Sequence, residues 1–100
     1  MLVAKQQELD LGTLKYGKPK NFFFELTNKS TEMVHINQVI VGCQACTTAY
    51  ISTPDVKPGE TFKVNATFTP GSTGINSKSI SVTYNNKMTI KLKFKSVVEK

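Results

Sequence analysis

Arginine is absent from this 100-residue chain, and all 13 basic side chains are lysine. Without the guanidinium fork, specific readout of base edges loses its commonest tool. Most aromatic residues fall on inward strand phases, which disfavours stacking on single-stranded nucleic acid. No specific nucleic-acid partner is therefore expected. The net charge of +6 reads instead as a general attraction to acidic surfaces. The lysine- and asparagine-rich composition also fits an AT-rich coding genome.

Other absences narrow the field further. No apolar run approaches the ~20 residues of a membrane-spanning helix, so no membrane insertion is expected. The start, Met1-Leu-Val-Ala-Lys-Gln-Gln, has no basic segment leading into an apolar one, and a secretory signal is not expected. Two cysteines and one histidine are too few for a four-ligand zinc site within one chain. No glycine-rich phosphate loop, nucleophile elbow or metal-carboxylate loop is present. The carboxylates, such as Asp10, Glu25, Asp55 and Glu60, are scattered over turns and outward phases. His35 lies on the opposite phase to Val34 and Ile36, as a surface or half-buried strand residue. The chain is expected to be no enzyme and to hold no cofactor.

What is present is alternation. Between the Pro58–Gly59 and Pro70–Gly71 turns, Phe62, Val64, Ala66 and Phe68 face one way, and Lys63, Asn65 and Thr67 the other. The same grammar recurs. Leu9, Leu11 and Leu14 mark an interrupted strand, and Phe22, Phe24 and Leu26 a second. Met33–Val41 forms a third, whose phase slips near Asn37–Gln38, as a β-bulge would require. A short strand surrounds Thr48–Ser52. Near the end, Ile80, Val82 and Tyr84 alternate inward, then Met88, Ile90, Leu92 and Phe94, with Asn85–Asn86 as the hairpin turn between them. Helical periodicity is nearly absent. The pattern predicts one domain, residues 1–100, folded as a single immunoglobulin-like, seven-stranded antiparallel β-sandwich.

Three features could carry function. Cys43-Gln-Ala-Cys46 follows the third strand, and three states are open to it: reduced thiols packed as small apolar groups, a local disulfide, or a thiol pair with soft-metal chemistry. Lys91, Lys93 and Lys95 form a row on the outward phase of the last strand. That row either opposes edge-to-edge aggregation or makes a basic contact stripe. Phe23, out of phase with Phe22 and Phe24, is an exposed interface anchor unless the N-terminal strand covers it.

The ordered set Leu9-Asp-Leu-Gly-Thr-Leu14, Gly17-Lys-Pro19, Phe24-Glu-Leu-Thr-Asn28, Cys43-Gln-Ala-Cys46-Thr47, Val56-Lys-Pro-Gly-Glu60, Val64-Asn-Ala-Thr-Phe-Thr-Pro70 and Lys78-Ser-Ile-Ser-Val-Thr-Tyr-Asn85 spans residues 8–97. It resembles the ASH/Hydin-type immunoglobulin-like domains and a related bacterial family of unknown function. The resemblance implies a sandwich akin to major sperm protein domains, and protein–protein interaction or scaffolding without catalysis. Bacterial members usually have a single glycine between the cysteines, where this chain has Gln44 and Ala45. The expected role is a structural or protein-interaction module. Its foremost setting is a phage virion, as a capsid or tail decoration protein present in multiple copies, located in the virion or host cytoplasm. One alternative is a bacterial cell-envelope or periplasmic binding module with a Cys43–Cys46 disulfide. The other is a thiol or copper(I) carrier using the same pair.

Overall fold

An unbroken run of alternating side chains from Thr61 to Phe68 builds a strand with one apolar and one polar face. Each remaining strand adds an apolar face to the same core. The computed structural model describes residues 2–42 and 46–100. Among these residues nine strands form: β1 (Leu2–Ala4), β2 (Glu8–Lys15), β3 (Lys20–Asn28), β4 (Val34–Val41), β5 (Thr47–Ile51), β6 (Asp55–Val56), β7 (Thr61–Phe68), β8 (Gly74–Tyr84) and β9 (Met88–Glu99). They pair into two sheets, ordered β1-β3-β7-β5 and β2-β9-β8-β4-β6. No helix forms among the described residues.

The all-β sandwich is observed, but the expected seven antiparallel strands are not. Two extra strands, β1 and β6, span three and two residues, too short to show a period in sequence. The N-terminal strand also changes sheets. β1 pairs antiparallel with the end of β3, Leu2 opposite Asn28. The chain then crosses, and β2 pairs parallel with β9, Glu8 opposite Lys93. Two backbone bonds pin the crossing: Lys5 N–H donates to Glu25 O at 2.9 Å, and Lys93 N–H to Gln7 O at 2.7 Å. The expected interruption of this strand is a register shift between Asp10 and Thr13, at Gly12 with φ +76°.

Other local expectations are met. The register of β4 on β8 shifts between Ile36 and Gln38. Asn85 and Asn86 take φ of 51° and 63°, the left-handed region that asparagine tolerates, in a tight loop of residues 85–87 between Tyr84 and its partner Met88. The Pro58–Gly59 turn is type II, with Gly59 at φ +80° and Glu60 N–H donating to Lys57 O at 3.0 Å.

Phe62, Val64, Ala66 and Phe68 are all buried, as are Phe24, Leu26, Ile80, Val82, Tyr84, Leu92 and Phe94. The Phe94 ring joins the sheets, with centroids 4.8 Å from Phe22 and 5.3 Å from Phe68. Met88, expected inward, is 38% exposed, because it sits beside the hairpin turn where the sandwich ends. Phe23 is 45% exposed, because β1 pairs only with Leu26–Asn28 and stops short of it. Lys63 Nζ lies 4.4 Å from the centre of its ring.

One polar residue sits at the heart of this end of the molecule. Asn28 is fully buried, and its Nδ2 donates to Glu32 O at 2.8 Å and Val56 O at 2.9 Å. Its Oδ1 accepts from Ser30 N–H at 2.9 Å and Ser30 Oγ at 2.6 Å. Its backbone N–H donates to Glu60 O and its carbonyl accepts from Gly59 N–H. Asn28-Lys29-Ser30 matches a glycosylation sequon, yet this amide is occupied by the fold.

Asn28→Ala deletes the buried amide's bonds to Val56 O, Glu32 O and Ser30 and should cost about 2–4 kcal/mol in urea denaturation. Ser96 Oγ is buried without a hydrogen-bond partner among the described residues, so Ser96→Ala should be neutral or stabilising by up to about 1 kcal/mol. Adjacent phenylalanines should also separate: Phe24→Ala should cost about 3–5 kcal/mol and Phe23→Ala less than about 1 kcal/mol. Equal losses for the two would contradict the assigned strand phase.

Candidate interaction surfaces

Alternation along β9 sends Leu92, Phe94, Ser96 and Val98 inward, which leaves Lys91, Lys93, Lys95 and Val97 on the outer face of the five-stranded sheet. The neighbouring strands fix what lies beside them. On β8, Ser81, Ser79, Ser77 and Ile75 stand opposite Lys91, Lys93, Lys95 and Val97 in turn. On β2, Glu8 pairs with Lys93, and Asp10 with Lys95.

The aggregation-guard reading of this row does not hold. The strand is last in the chain but interior in its sheet, flanked by β2 and β8, so its lysines protect no edge. They line a groove of about 590 Å³ with Glu8, Gly42, Ser77 and Ser79. The Gly42 N–H donates to Ser79 O at 2.8 Å. A Cβ on Gly42 would meet Ser79 O and Oγ at 3.3 Å, so glycine lets the end of β4 lie tight against β8. Two ion pairs form among the described residues, Lys15–Glu99 at 2.6 Å and His35–Asp55 at 2.8 Å. Neither involves the row: Glu8 and Asp10 stand beside Lys93 and Lys95 without closing an ion pair, and Lys91 has no carboxylate opposite it on β2 or β8.

The apolar ends of this face escape the sequence reading. Ile75 is 83% exposed and its partner Val97 50% exposed, just beyond Lys95. Ile40, opposite Ser81, is exposed at the other end. Carrying the outward phase two residues past Ser77 and Lys95 would have found Ile75 and Val97.

Phe23 belongs to the opposite, four-stranded sheet. Phe23 and the exposed Tyr50 both stand opposite Asn65, one on each side. The structure therefore separates the two expected contact features, the lysine row and Phe23, onto opposite outer faces.

Of the cysteine motif, Cys43 lies outside the described residues, as do Gln44 and Ala45. Cys46 packs against the core, its Sγ 3.6 Å from Thr47 Oγ1. No free cysteine occurs among the described residues. No group of three or more histidine, cysteine, aspartate or glutamate residues is placed to hold a metal ion among them either. His35 is exposed, and its Nδ1 meets Asp55 Oδ1 across the β4–β6 pairing. That pairing joins residues 20 apart in sequence, and no local signal announces it.

No curated protein matches the sequence. Among solved structures, a protein of unknown function from Porphyromonas gingivalis W83 superposes with a TM-score of 0.82 at 18% identity, over 96% of this chain and 46% of that one. This chain thus spans about half of that protein's length. PapD-like domain 7, an ASH domain of human CEP192, matches with a TM-score of 0.73 at 16% identity, over 99% of this chain and 85% of that one. WR4, a major sperm protein family member from C. elegans, matches at 0.61 with 10% identity, over 99% and 98%. These likenesses bear out the fold that the ASH/Hydin resemblance implied. A family model covers the strands of both sheets, residues 2–98, and by that match the chain belongs to DUF1573, a family of proteins of unknown function.

Proposed function

We propose that this domain is a non-enzymatic binding module whose protein partner presents carboxylates to the outer face of the five-stranded sheet. The observation that carries the reading is the Lys91–Lys93–Lys95 row in its groove, where three ammonium groups outnumber the two flanking carboxylates and form no ion pair. Alternate residues of a strand are roughly 7 Å apart, so the lysines match alternate acidic side chains of an extended segment. The Ser77 and Ser79 hydroxyls add neutral donors beside them. Glu8 and Asp10 stand on the β2 side and repel an anion there, which steers it over β8 and β9. Ile40 at one end and Ile75 with Val97 at the other supply apolar contact.

Single exposed ion pairs are weak and salt-screened. Useful affinity then comes from several contacts made together, or from several copies of the domain acting at once. The ASH/PapD-like and major-sperm-protein-like folds are compatible with a binding role. Nothing in the matched structures supports a capsid or tail setting, so the reading stops at the partner's chemistry.

Poly-L-glutamate is a direct probe, followed by fluorescence anisotropy at low salt. Replacing Lys91, Lys93 and Lys95 together by glutamine should weaken binding by about tenfold or more and leave thermal stability nearly unchanged. A control with Lys29, Lys57 and Lys87 changed to glutamine carries the same net charge and should bind almost as well as the parent. Equal weakening of the two would reduce the effect to net charge and defeat the reading.

A further inference from the structure

A second binding feature lies at the opposite edge of the molecule, where the chain changes sheets. In β3 the backbone groups alternate sides. Asn28 N–H donates toward the β7 side, to Glu60 O, and Glu25 O accepts from Lys5 on the β1 side. Even-numbered residues of β3 thus serve the β7 ladder, and odd-numbered ones face β1. β1 ends at Ala4 and Lys5 leaves for the other sheet, so nothing described pairs with the N–H and C=O groups of Phe23 and Asn21. Beside this open stretch lies a cavity of about 270 Å³ lined by Lys5, Gln6, Leu9, Phe23, Phe24 and Glu25. Its floor reaches the core through Phe24, and its rim is polar.

We propose that the Lys20–Phe24 edge of β3 accepts an extended peptide segment of a partner protein as an added antiparallel strand, on the line that β1 vacates. The unpaired backbone groups of Asn21 and Phe23 supply the ladder, and strand addition is the mode that uses such groups. Residues of the peptide opposite Phe22 and Phe24 point inward and are apolar, filling the cavity over Leu9 and Phe24. The residue opposite Phe23 points outward toward the Lys63 ammonium and is acidic. Charge also sets the choice of occupant. The chain carries +6, and around this edge Lys5, Lys20 and, from the neighbouring β7, Lys63 outnumber Glu25, so a second copy is repelled where an acidic segment is drawn in.

The test uses a synthetic peptide of about eight residues, the length of an ordinary strand, alternating valine and glutamate. It is added to the variant with Lys91, Lys93 and Lys95 changed to glutamine, which removes the other site for acidic ligands. Amide NMR signals of residues 20–25 and 5–9 should shift. Asn21→Pro deletes an N–H on the open side and leaves the backbone bonds to β7 in place, and should weaken binding by about tenfold, whereas Asn21→Ala, which loses only the Thr67 Oγ1–Asn21 Oδ1 bond, should not. Methylating alternate backbone nitrogens of the peptide on its pairing side should do the same. Unmoved signals at residues 20–25 with peptide on the order of millimolar, or equal binding of the methylated peptide, would overturn the proposal. A dimer of the unliganded protein that Asn21→Pro dissolves would assign the edge to a second copy and overturn it equally.

Discussion

The crossing of the N-terminal segment between sheets is the constraint on which the arrangement of surfaces depends. Two backbone bonds fix it, Lys5 to Glu25 on one side and Lys93 to Gln7 on the other. By pairing with β9, β2 turns the last strand of the chain into an interior strand of a five-stranded sheet. The lysine row is thereby framed by serines on one side and carboxylates on the other. By leaving β3 after Ala4, the same segment uncovers the backbone of Phe23 and Asn21 and opens a cavity down to Phe24. One short excursion of the chain therefore creates the surroundings of both candidate contact sites.

The core that tolerates this excursion is built by alternation and closed by few polar anchors. Phe94 reaches across to Phe22 and Phe68, so the sheets meet through rings contributed by β3, β7 and β9. At one end, Asn28 replaces water for two carbonyls and a serine, and holds the irregular 29–32 loop and the tiny β6 strand to the sandwich. A buried amide with every partner in place is stabilising, whereas the same site half-satisfied would be costly. The outer faces take little part in this stability. They are free to vary in charge without loss of the fold, and a binding module needs that freedom.

How much was legible in the sequence follows from element length. β7, β8 and β9 run for 8, 11 and 12 residues, long enough for period-two alternation to fix both strand and phase. The Asn85–Asn86 turn and the β4 bulge were legible for related reasons, since each breaks a clear pattern at one place. β1 and β6 were not, because strands of three and two residues have no period. The parallel β2–β9 pairing was not legible either, because partner choice is set by where the chain crosses and not by the residues of the strand. For the lysine row, alternation fixes the outward phase, but its place in the sheet depends on this pairing. Phe23 shows the same division, its phase plain in sequence and its exposure decided by where β1 stops. Cys43 lies outside the described residues, while Cys46, within them, is not a free thiol.

The central claim is that the framed lysine row, and not the chain's overall positive charge, recognises acidic partners. Mapping poly-L-glutamate onto the domain by amide NMR at increasing salt tests it most directly. The account predicts saturable shifts concentrated at Ser77–Ser81, Lys91–Lys95 and Gly42, fading as ionic strength rises. Shifts spread evenly over Lys18, Lys29, Lys57 and Lys87, with no preference for the row, would contradict it.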